Sequence, residues 1–495
     1  MRVNKAKVVI IGAGAAGLFA AKKLIDSGQY GPKDIIILEA QDYVGGRIKT
    51  IFVNDGPLET GAQWIHGRGD NPVWKFVLEN NISVAEIANR DGKGNFMSQS
   101  GDIPPKEILH STLNFLQEVH ESVYDVLDDE GQLKDGIPSS VGKYFKQRFE
   151  KWLDQLRENE SAELIKWRQR IFNWRILWEN CDCGCNDLDD NSIYTFAKYE
   201  GNICYDDTIY RVIICENILE FEGGDACLSK GYYSFVETIQ KLIRGKVQIL
   251  LNKEVIKVKK DDKSEVISIE CSDGSLYECN TSIVTVSLGV LKASLNMFDY
   301  ETIKWPSKVL RAIHNIGFGT ISFIKIEFEE QFWDKKNPGV MILRDSDTFK
   351  TFDYKDDDPW YNYVYGFDSV LHQPNILMGW MSGEESRAME MLSDKDIGEN
   401  CIDLLKRVMS KSNIQAPIRM KNIYVSRWYQ NRFCRGTYSY ATTACVEKGI
   451  HHADLLEPVR YSSGRIALML AGEATSDNCT GTVHGALMSG ELQAS

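Results

Sequence analysis

The first forty residues show a regular succession of apolar runs and glycines. An apolar run at residues 7–11 leads into a glycine turn at residues 12–17 and then into an Ala- and Leu-rich segment. A second apolar run covers residues 35–38 and is followed at once by Glu39. Short apolar runs bounded by turn residues are typical of buried strands. This part of the chain therefore predicts strand, turn, helix, strand and acid.

The period of the apolar residues changes several times along the rest of the chain. Between residues 105 and 180 they recur every three to four positions, which predicts helices whose aromatic side chains belong to the core. The predicted helices cover residues 109–126, 144–156, 164–178 and 395–409. Strands are predicted at residues 246–258, 283–286, 318–328, 341–354 and 376–380.

The glycine turn has the spacing that a bound dinucleotide requires. Gly12 permits the tight turn, Gly14 lets a pyrophosphate approach the main chain, and Gly17 lets helix and strand pack closely. The start of the helix adds partial positive charge for the phosphates. Glu39 ends the second strand, where a carboxylate can accept hydrogen bonds from a ribose. The sequence therefore predicts a dinucleotide site.

Further motifs indicate which dinucleotide is bound. Gly45-Gly46-Arg47 resembles the glycine doublet of FAD-binding flavoproteins. Matching blocks stand at residues 58–67 (Leu-Glu-Thr-Gly-Ala-Gln-Trp-Ile-His-Gly), 471–475 and 481–486. In this order the blocks resemble the flavin amine oxidase family. Within that family, Gly-Ala-Gln-Trp-Ile-His-Gly is closest to the animal polyamine and spermine oxidases.

The resemblance implies an α/β fold of two domains. A Rossmann-like FAD-binding domain of the glutathione-reductase type would carry a discontinuous α+β substrate domain. We assign residues 1–80, 228–295 and 455–495 to the FAD-binding domain. Residues 81–227 and 296–454 are assigned to the substrate-binding domain.

The glycine turn and the resemblance together predict the residues that hold the cofactor. Glu39, Arg47, Val255 and Glu473 would contact the ribose, the pyrophosphate, the adenine, and the ribityl or phosphate groups, respectively. The complete predicted set is Gly12, Gly14, Ala16, Gly17, Glu39, Arg47, Gly61, Ala62, Val255, Trp428, Gly472, Glu473, Thr482 and Val483. Thr437 stands where monoamine oxidases carry the cysteine that tethers their flavin, so we predict non-covalent FAD.

The resemblance also implies which residues meet the substrate. Tyr438 would form one wall of an aromatic slot before the flavin, with Thr482 opposite. His66 would hydrogen-bond an amine nitrogen or relay a proton, and Glu200 would hold a distal ammonium group. A structural histidine and a surface glutamate are the alternatives for the last two positions.

Two features depart from the family pattern. Its members carry a lysine after the Gly-Phe-Gly-Thr turn, but here Phe323 follows and the nearest lysine is Lys325. Side chains two positions apart on a strand share a face about 6–7 Å apart, so a catalytic Lys325 requires a register shift or bulge. The resulting hypothesis is slow flavin reoxidation or weak turnover. Residues 202–221 look inserted and would either reshape the substrate tunnel or form an outer hairpin.

Composition limits the partners. A chain of 495 residues corresponds to two or three domains, and a net charge of −13 without a basic block argues against nucleic acid. No targeting or membrane segment is evident, and twelve scattered cysteines indicate a reducing compartment. We expect a cytoplasmic monomer or homodimer, with a peroxisomal or nuclear location and a truncated C-terminus left open. The closely spaced cysteines of the loop at residues 181–185 lack the separated pairs of a zinc site, so no metal is predicted.

The predicted function is FAD-dependent oxidation of spermine or an N-acetylated polyamine. The resemblance implies hydride transfer from the carbon beside an amine nitrogen to flavin N5. Imine hydrolysis and reoxidation by O2, which yields H2O2, would follow. One alternative is an oxidase of another amine. The other is a flavin-binding homologue with weak or no amine oxidase activity, because Phe323 replaces the family lysine.

Overall fold

The computed structural model describes residues 3–85, 92, 94–198, 224–334, 339–345, 358–414 and 416–495. Its strands are β1 (Val3–Lys5), β2 (Val8–Ile11), β3 (Ile35–Leu38), β4 (Thr50–Val53), β5 (Gly56–Glu59), β6 (Asn95–Ser98), β7 (Gln248–Leu250), β8 (Val255–Asp261), β9 (Val266–Cys271), β10 (Leu276–Cys279), β11 (Thr281–Val284), β12 (Gly317–Phe318), β13 (Ile321–Phe328), β14 (Gly339–Leu343), β15 (Gly366–Val370), β16 (Gln373–Ser382), β17 (Met420–Val425), β18 (Ser439–Tyr440), β19 (Val459–Arg460) and β20 (Ile466–Leu470).

The helices cover both the nucleotide sheet and the central part of the chain. They are α1 (Ala15–Asp26), α2 (Pro72–Glu79), α3 (Lys106–Glu121), α4 (Val141–Leu156), α5 (Ala162–Cys183), α6 (Ile193–Lys198), α7 (Tyr233–Ile243), α8 (Leu288–Ser294), α9 (Ser307–Asn315), α10 (Gly383–Glu390), α11 (Asp394–Val408), α12 (Thr443–Glu447) and α13 (Val483–Gln493). Short 3₁₀ segments lie at Ser122–Asp125, Leu295–Met297, Trp360–Tyr363, His452–Leu456 and Glu473–Thr475.

A six-stranded sheet forms the nucleotide-binding part of the fold. Its order is β19-β20-β11-β2-β3-β7, and all neighbours except β19 and β20 are parallel. Every residue of β2 and β3 is buried. Parallel strands covered on both faces carry continuous apolar runs rather than alternating ones, which is the pattern at residues 8–11 and 35–38. The predicted α/β class with a Rossmann-like domain is confirmed.

Small residues let two helices approach each other beside this sheet. α1 packs against α13, and a Cβ on Gly490 would come within 2.1 Å of the Ala16 carbonyl oxygen. A Cβ on Gly17 would likewise meet the Gly12 carbonyl oxygen at 2.1 Å. Gly17 therefore allows α1 to lie directly on the glycine turn. The first and last helices of the nucleotide-binding part are thus held together by backbone proximity.

A second six-stranded sheet lies in the rest of the chain. Its order is β17-β13-β16-β15-β14-β6, antiparallel except for the parallel pair β14 and β6. The helices α3, α4 and α5 supply much of the large apolar core that this sheet shares. Every residue of β13 is buried, including Lys325. Strands from both predicted substrate-domain ranges join in this one sheet; the proposed division into domains stays a prediction.

Several predicted elements differ from the structure. The helices near residues 109–126, 144–156 and 395–409 are confirmed, but α5 extends to Cys183 instead of ending at residue 178. The cysteine-rich segment is therefore the last turn of a helix and its cap, not a loop. Gly184 ends the helix with φ +67°, a left-handed conformation that glycine adopts without strain.

Two predicted strands also need correction. The strand expected at 246–258 is broken into β7 and β8, with Asn252 at φ +55° between them. The strand expected at 341–354 begins at Gly339 and ends at Leu343, and residues 346–357 lie outside the described part. The inserted segment proposed at 202–221 also lies outside it. Within the described ranges, no helix combines the length and apolar character needed to span a membrane.

Candidate functional site

A cavity of about 670 Å³ runs between the nucleotide sheet and the second sheet. The predicted residues that line it are Gly12, Gly14, Ala16, Glu39, Arg47, Gly61, Ala62, His66, Val255, Trp428, Tyr438, Gly472, Glu473, Thr482 and Val483. Gly17 and Lys325 do not line it, and Glu200 lies outside the described residues. Segments that are hundreds of residues apart therefore meet around one space.

Two glycine turns face each other at the cavity wall. Gly12 has φ +110° and Gly46 has φ +61°, both in the left-handed region that favours glycine. A Cβ on Gly46 would come within 3.3 Å of the Gly14 Cα, and Gly14 and Gly45 form an isolated β-bridge. Gly14 also begins α1 without a capping side chain. The start of α1 is thus open to a phosphate group, as a bound dinucleotide requires.

Glu39 marks one end of the cavity. Its Oε2 accepts a hydrogen bond from the Ala13 N–H at 2.7 Å, and its Oε1 accepts one from the Gln41 N–H at 2.8 Å. The side chain is buried, and burial raises the pKa of its carboxyl group above the ordinary value. Val255 at the start of β8 lines the same region. The arrangement suits a ribose and an adenine, and the contacts of these two residues with them stay a prediction.

Arg47 and Glu473 connect the two ends of the chain beside this cavity. The Arg47 Nη1 lies 3.0 Å from Glu473 Oε1 and also donates to the Thr437 carbonyl oxygen. Glu473 Oε2 accepts from the Ser439 hydroxyl at 2.7 Å and from the Gly481 N–H at 2.9 Å. Burial would raise the pKa of Glu473, but the guanidinium and these hydrogen bonds lower it below its ordinary value. Glu473 is therefore an ionised buried carboxylate.

The other end of the cavity is aromatic. The rings of Trp64 and Trp380 are stacked with centroids 6.1 Å apart, and Phe323 meets Trp380 edge-on at 5.8 Å. Trp178 and Tyr365 line the same cavity. These faces suit the hydrocarbon chain of an amine and can also attract its cationic form.

Tyr438 lies where the aromatic end meets α5. Its hydroxyl donates to the Cys181 carbonyl oxygen at 3.2 Å, and burial raises the pKa of the phenol. A Cβ on Gly184 would come within 1.7 Å of the Tyr438 ring, and one on Gly481 within 2.9 Å. Two glycines thus make room for this ring. Thr482 follows Gly481 and lines the same cavity.

His66 is a titratable group at the aromatic end. Its Nδ1 lies 3.5 Å from Asp225 Oδ2, and the Asn71 side-chain amide donates to its carbonyl oxygen at 2.7 Å. Burial would lower the pKa of His66, but the negative charges of Asp225 and Asp182 raise it above its ordinary value. A histidine held in this way can exchange a proton near neutral pH.

Comparison with known proteins decides the family. The model of the flavin-containing amine oxidoreductases matches residues 15–495. The chain belongs to this family. A flavin cofactor is therefore supported, and the opposed glycine turns and the buried carboxylate described above fit a flavin dinucleotide. The resemblance read from the sequence motifs is confirmed.

Individual relatives of this amine oxidoreductase are distant but match over nearly their full length. The peroxisomal N(1)-acetyl-spermine/spermidine oxidases of Bos taurus and Homo sapiens are 25% and 26% identical to it, over 99% of this chain and 94% of each relative. Wild-type putrescine oxidase bound to putrescine aligns with a TM-score of 0.68 at 16% identity, covering 100% of this chain and 99% of that one. The structural likeness establishes the fold.

Phe323 and Lys325 take different positions in this amine oxidoreductase. Phe323 lines the cavity, whereas Lys325 is fully buried in β13 and its Nζ donates to the Glu59 carbonyl oxygen. The Lys325 Nζ lies 4.5 Å from the centroid of the Phe323 ring. In β13 the pairing with β16 is regular from Ile321 to Glu327. The register shift required for a catalytic Lys325 is thus absent from this pairing, and that role stays a prediction.

Sequence reasoning missed several cavity residues. Tyr365 and Trp380 come from the second sheet, and nothing in their local sequence indicated which way they face. Trp178 was assigned to the core and Asp182 to a metal-free loop, yet both line the cavity. The other missed lining residues include Gln41, Tyr124, Cys181, Cys183, Asn191, Thr195, Phe196, Lys253, Glu254, Arg432 and Arg435. Among the described residues, no group of three or more His, Cys, Asp or Glu is placed to hold a metal ion.

Proposed function

We propose that the chain is an FAD-dependent oxidase of spermine-like or N-acetylated polyamines. The observation that carries the proposal is one continuous cavity, which joins the dinucleotide-type end at Glu39 to an aromatic end that contains His66. The named relatives that act on acetylated spermine and spermidine support the same substrate class. We retain a cytoplasmic location and a monomeric or dimeric state as predictions from the sequence.

Residues at different points along the cavity would bind different parts of the cofactor. Glu39 and Val255 would hold the adenosine, the two glycine turns and Arg47 the pyrophosphate, and Trp428 the ring system. FAD, when bound, supplies a hydride acceptor for the carbon beside the amine nitrogen and is reoxidised by O2 to give H2O2. Thr437 has no thiol with which to form a thioether, which supports non-covalent binding.

The protein side chains would orient the amine and accept a hydrogen bond from its nitrogen. Trp64, Trp380 and Tyr438 offer aromatic faces to the substrate chain, and these exclude water from it. His66, when neutral, can accept a hydrogen bond from the amine at its imidazole nitrogen. Trp428 is fixed by the hydrogen bond from its Nε1 to the Thr60 carbonyl oxygen at 3.0 Å.

The deciding experiment is anaerobic mixing of the FAD-loaded protein with spermine, N1-acetylspermine and n-butylamine. We expect the yellow absorbance to bleach with a polyamine, and hydrogen peroxide to accumulate once air is admitted. A flavin that binds but stays oxidised with every amine would reject the proposal. A protein that bleaches only with n-butylamine would instead indicate an oxidase of another amine.

Phe323 favours a second candidate, a flavin-binding protein with little turnover. Substitution Lys325→Met separates a structural lysine from a catalytic one. Because Lys325 is a buried charge near Glu59, we expect the substitution to destabilise the protein by about 3 kcal/mol and to leave the rate of flavin reoxidation unchanged. Lys259→Met, at an exposed position of β8, is the control and should change neither quantity. A tenfold or greater fall in the reoxidation rate (about 1.4 kcal/mol) would assign Lys325 a catalytic role.

A further inference from the structure

The indole ring of Trp178 lines the cavity, but the group that holds it lies in the core. Trp178 belongs to α5 and contributes to the aromatic end of the cavity. The guanidinium carbon of Arg175, about one turn earlier in the same helix, lies 4.6 Å from the centroid of the Trp178 ring. Arg175 is 2% exposed and does not line the cavity. It therefore holds the ring from the core side through a cation–π contact.

A buried carboxylate fixes the position of Arg175. The Arg175 Nε donates to Glu179 Oε1 at 2.7 Å, and its Nη2 lies 2.7 Å from the same oxygen. The Nδ1 of His120 also lies 3.1 Å from this oxygen. Burial would raise the pKa of Glu179, but Arg175 and His120 lower it to about 2. Glu179 is therefore ionised at neutral pH and keeps the guanidinium in one orientation.

The same buried network reaches a second part of the cavity wall. The His120 ring meets the ring of Phe196 edge-on with centroids 5.7 Å apart, and that of Tyr124 at 6.3 Å. Phe196 and Tyr124 both line the cavity, whereas His120 is buried behind them. A buried ion pair stabilises a fold little more than apolar residues of the same volume would. Stability alone therefore does not account for charged groups behind this wall.

A matched arrangement in the same helix lacks the contact with the cavity. Arg168, seven positions before Arg175, is also buried, and its guanidinium carbon lies 4.8 Å from the centroid of the Trp152 ring. Its Nη2 pairs with Glu160 at 2.5 Å. Trp152 belongs to α4 and does not line the cavity. Arg168 therefore provides an internal control for the role of Arg175.

We propose that Arg175 is a positioning residue, which orients Trp178 so that the indole face packs against the carbon chain of the amine substrate. This inference rests on the proposed function. A lysine in place of Arg175 would retain the positive charge beside Glu179 but would lack the planar guanidinium that stacks on an aromatic ring. The effect of this substitution on substrate binding should therefore depend on the presence of Trp178.

The test is a double-substitution cycle in FAD-loaded protein. The rate of anaerobic bleaching against spermine concentration separates the Kd from the limiting rate. Arg175→Lys should raise the Kd about fivefold and leave the limiting rate within about twofold. In a Trp178→Leu background, the same substitution should change the Kd by less than about twofold, because the ring through which it acts is gone. Arg168→Lys should retain the wild-type Kd.

Two further measurements separate positioning from a general structural role. Fluorine NMR of protein labelled with fluorotryptophan, with the Trp178 signal assigned by Trp178→Leu, should show that signal shifted or broadened in Arg175→Lys and unchanged in Arg168→Lys. Trp178→Leu alone should raise the Kd of spermine at least about fivefold. An unchanged Kd in that variant overturns the inference even if Arg175→Lys does not fold.

The outcomes distinguish this inference from the proposed function. An unchanged Kd in Arg175→Lys, an equal rise in Arg168→Lys, or an effect of Arg175→Lys that persists in the Trp178→Leu background would overturn the inference and leave the oxidase intact. If the wild type does not bleach with any amine, the proposed function fails. Calorimetric titration of spermine into the oxidised wild type, Arg175→Lys and Arg168→Lys then decides the inference. Binding weakened in Arg175→Lys alone supports it, and equal affinity in all three, or no binding to any, overturns it.

Discussion

His66 and Asp225 bring a titrating pair to the substrate end of the cavity. The distance of 3.5 Å between Nδ1 and the carboxylate is long for a hydrogen bond but short enough for strong electrostatic coupling. Asp225 also accepts a hydrogen bond from the Gly67 N–H at 3.3 Å. The aspartate therefore influences both the charge of the imidazole and the turn that carries it.

Substitution Asp225→Asn should move the pH dependence of the reaction. Because Asp225 raises the pKa of His66, its charge moves the pH at which neutral imidazole forms to a higher value. Its loss should shift the ascending limb of the anaerobic bleaching rate toward lower pH by roughly one unit. The measurement is the rate at subsaturating spermine from pH 6 to 9.

The control for this shift is Asp70→Asn. Asp70 is exposed, pairs with Lys75, and stands four residues after His66 in the sequence. Its substitution should leave the limb in place. If the ascending limb of the bleaching rate against pH also stays unchanged in Asp225→Asn, His66 is not the titrating group.

At single positions, sequence reasoning succeeded where the requirement is local. Gly12, Gly14 and Glu39 were predicted to hold a dinucleotide because a turn or strand end determines where their backbone points, and all three line the cavity. Trp380 was missed because its position depends on how β16 packs across the second sheet. For Phe323 and Lys325, the alternation of a strand predicted the shared face, but only tertiary packing determines which side chain reaches the cavity.

Helix α10 carries a buried acid near its start. Glu385 is 5% exposed, and burial raises the pKa of its carboxyl group to about 7. Between pH 4.5 and about 7, the folded protein keeps a proton that the unfolded chain has released. The contribution of Glu385 to stability is therefore fully present below pH 4.5 and is lost as the pH rises through 7.

Substitution Glu385→Gln should consequently stabilise the protein at alkaline pH alone. Relative to wild type, we expect a gain on the order of 3 kcal/mol at pH 8 and little change at pH 4.5. The midpoint of thermal unfolding at the two pH values measures it. Glu384→Gln next to it removes an exposed acid and should give a difference below about 1 kcal/mol at both. An equal effect of Glu385→Gln at both pH values would contradict the assignment.

At the level of elements, the apolar period predicted most of the helices but not where they end. The period in α5 fades before its polar last turn, so the sequence predicted an end at residue 178 while the structure continues to Cys183. Gly184, the residue that caps α5, was the feature of the sequence that marks the actual end of the helix. Because residues 181–185 were predicted to form a loop, Asp182 was not predicted to line the cavity.

For the molecule as a whole, the Arg47–Glu473 pair joins segments 426 residues apart. Substitution Glu473→Gln should destabilise the protein by about 3 kcal/mol, because it leaves Arg47 without its buried counter-charge, and should reduce the amount of FAD retained on purification. The measurements are the unfolding midpoint at neutral pH and the ratio of flavin to protein absorbance.

The ionisation of Glu473 determines how the loss of stability in Glu473→Gln changes with pH. Its pKa is lowered in the folded protein, so its stabilising contribution is present above the unfolded value and is lost as the pH falls through the folded value. The difference from wild type should therefore shrink in acid. Glu278→Gln is the control: its carboxylate pairs with Lys5 at the same 3.0 Å but on the surface, so a change below about 1 kcal/mol is expected. An equal loss in both variants would mean that burial is unimportant.

The order of strands in the nucleotide sheet has a consequence for synthesis on the ribosome. β2 and β3 precede β11, which pairs with β2, by about 270 residues, and β20, which pairs with β11, follows later still. A nascent chain must therefore carry an apolar strand with an open hydrogen-bonding edge while about 270 further residues are synthesised. Chaperone demand and cotranslational aggregation should accordingly depend on β2, and slow codons placed between β3 and β11 should worsen both.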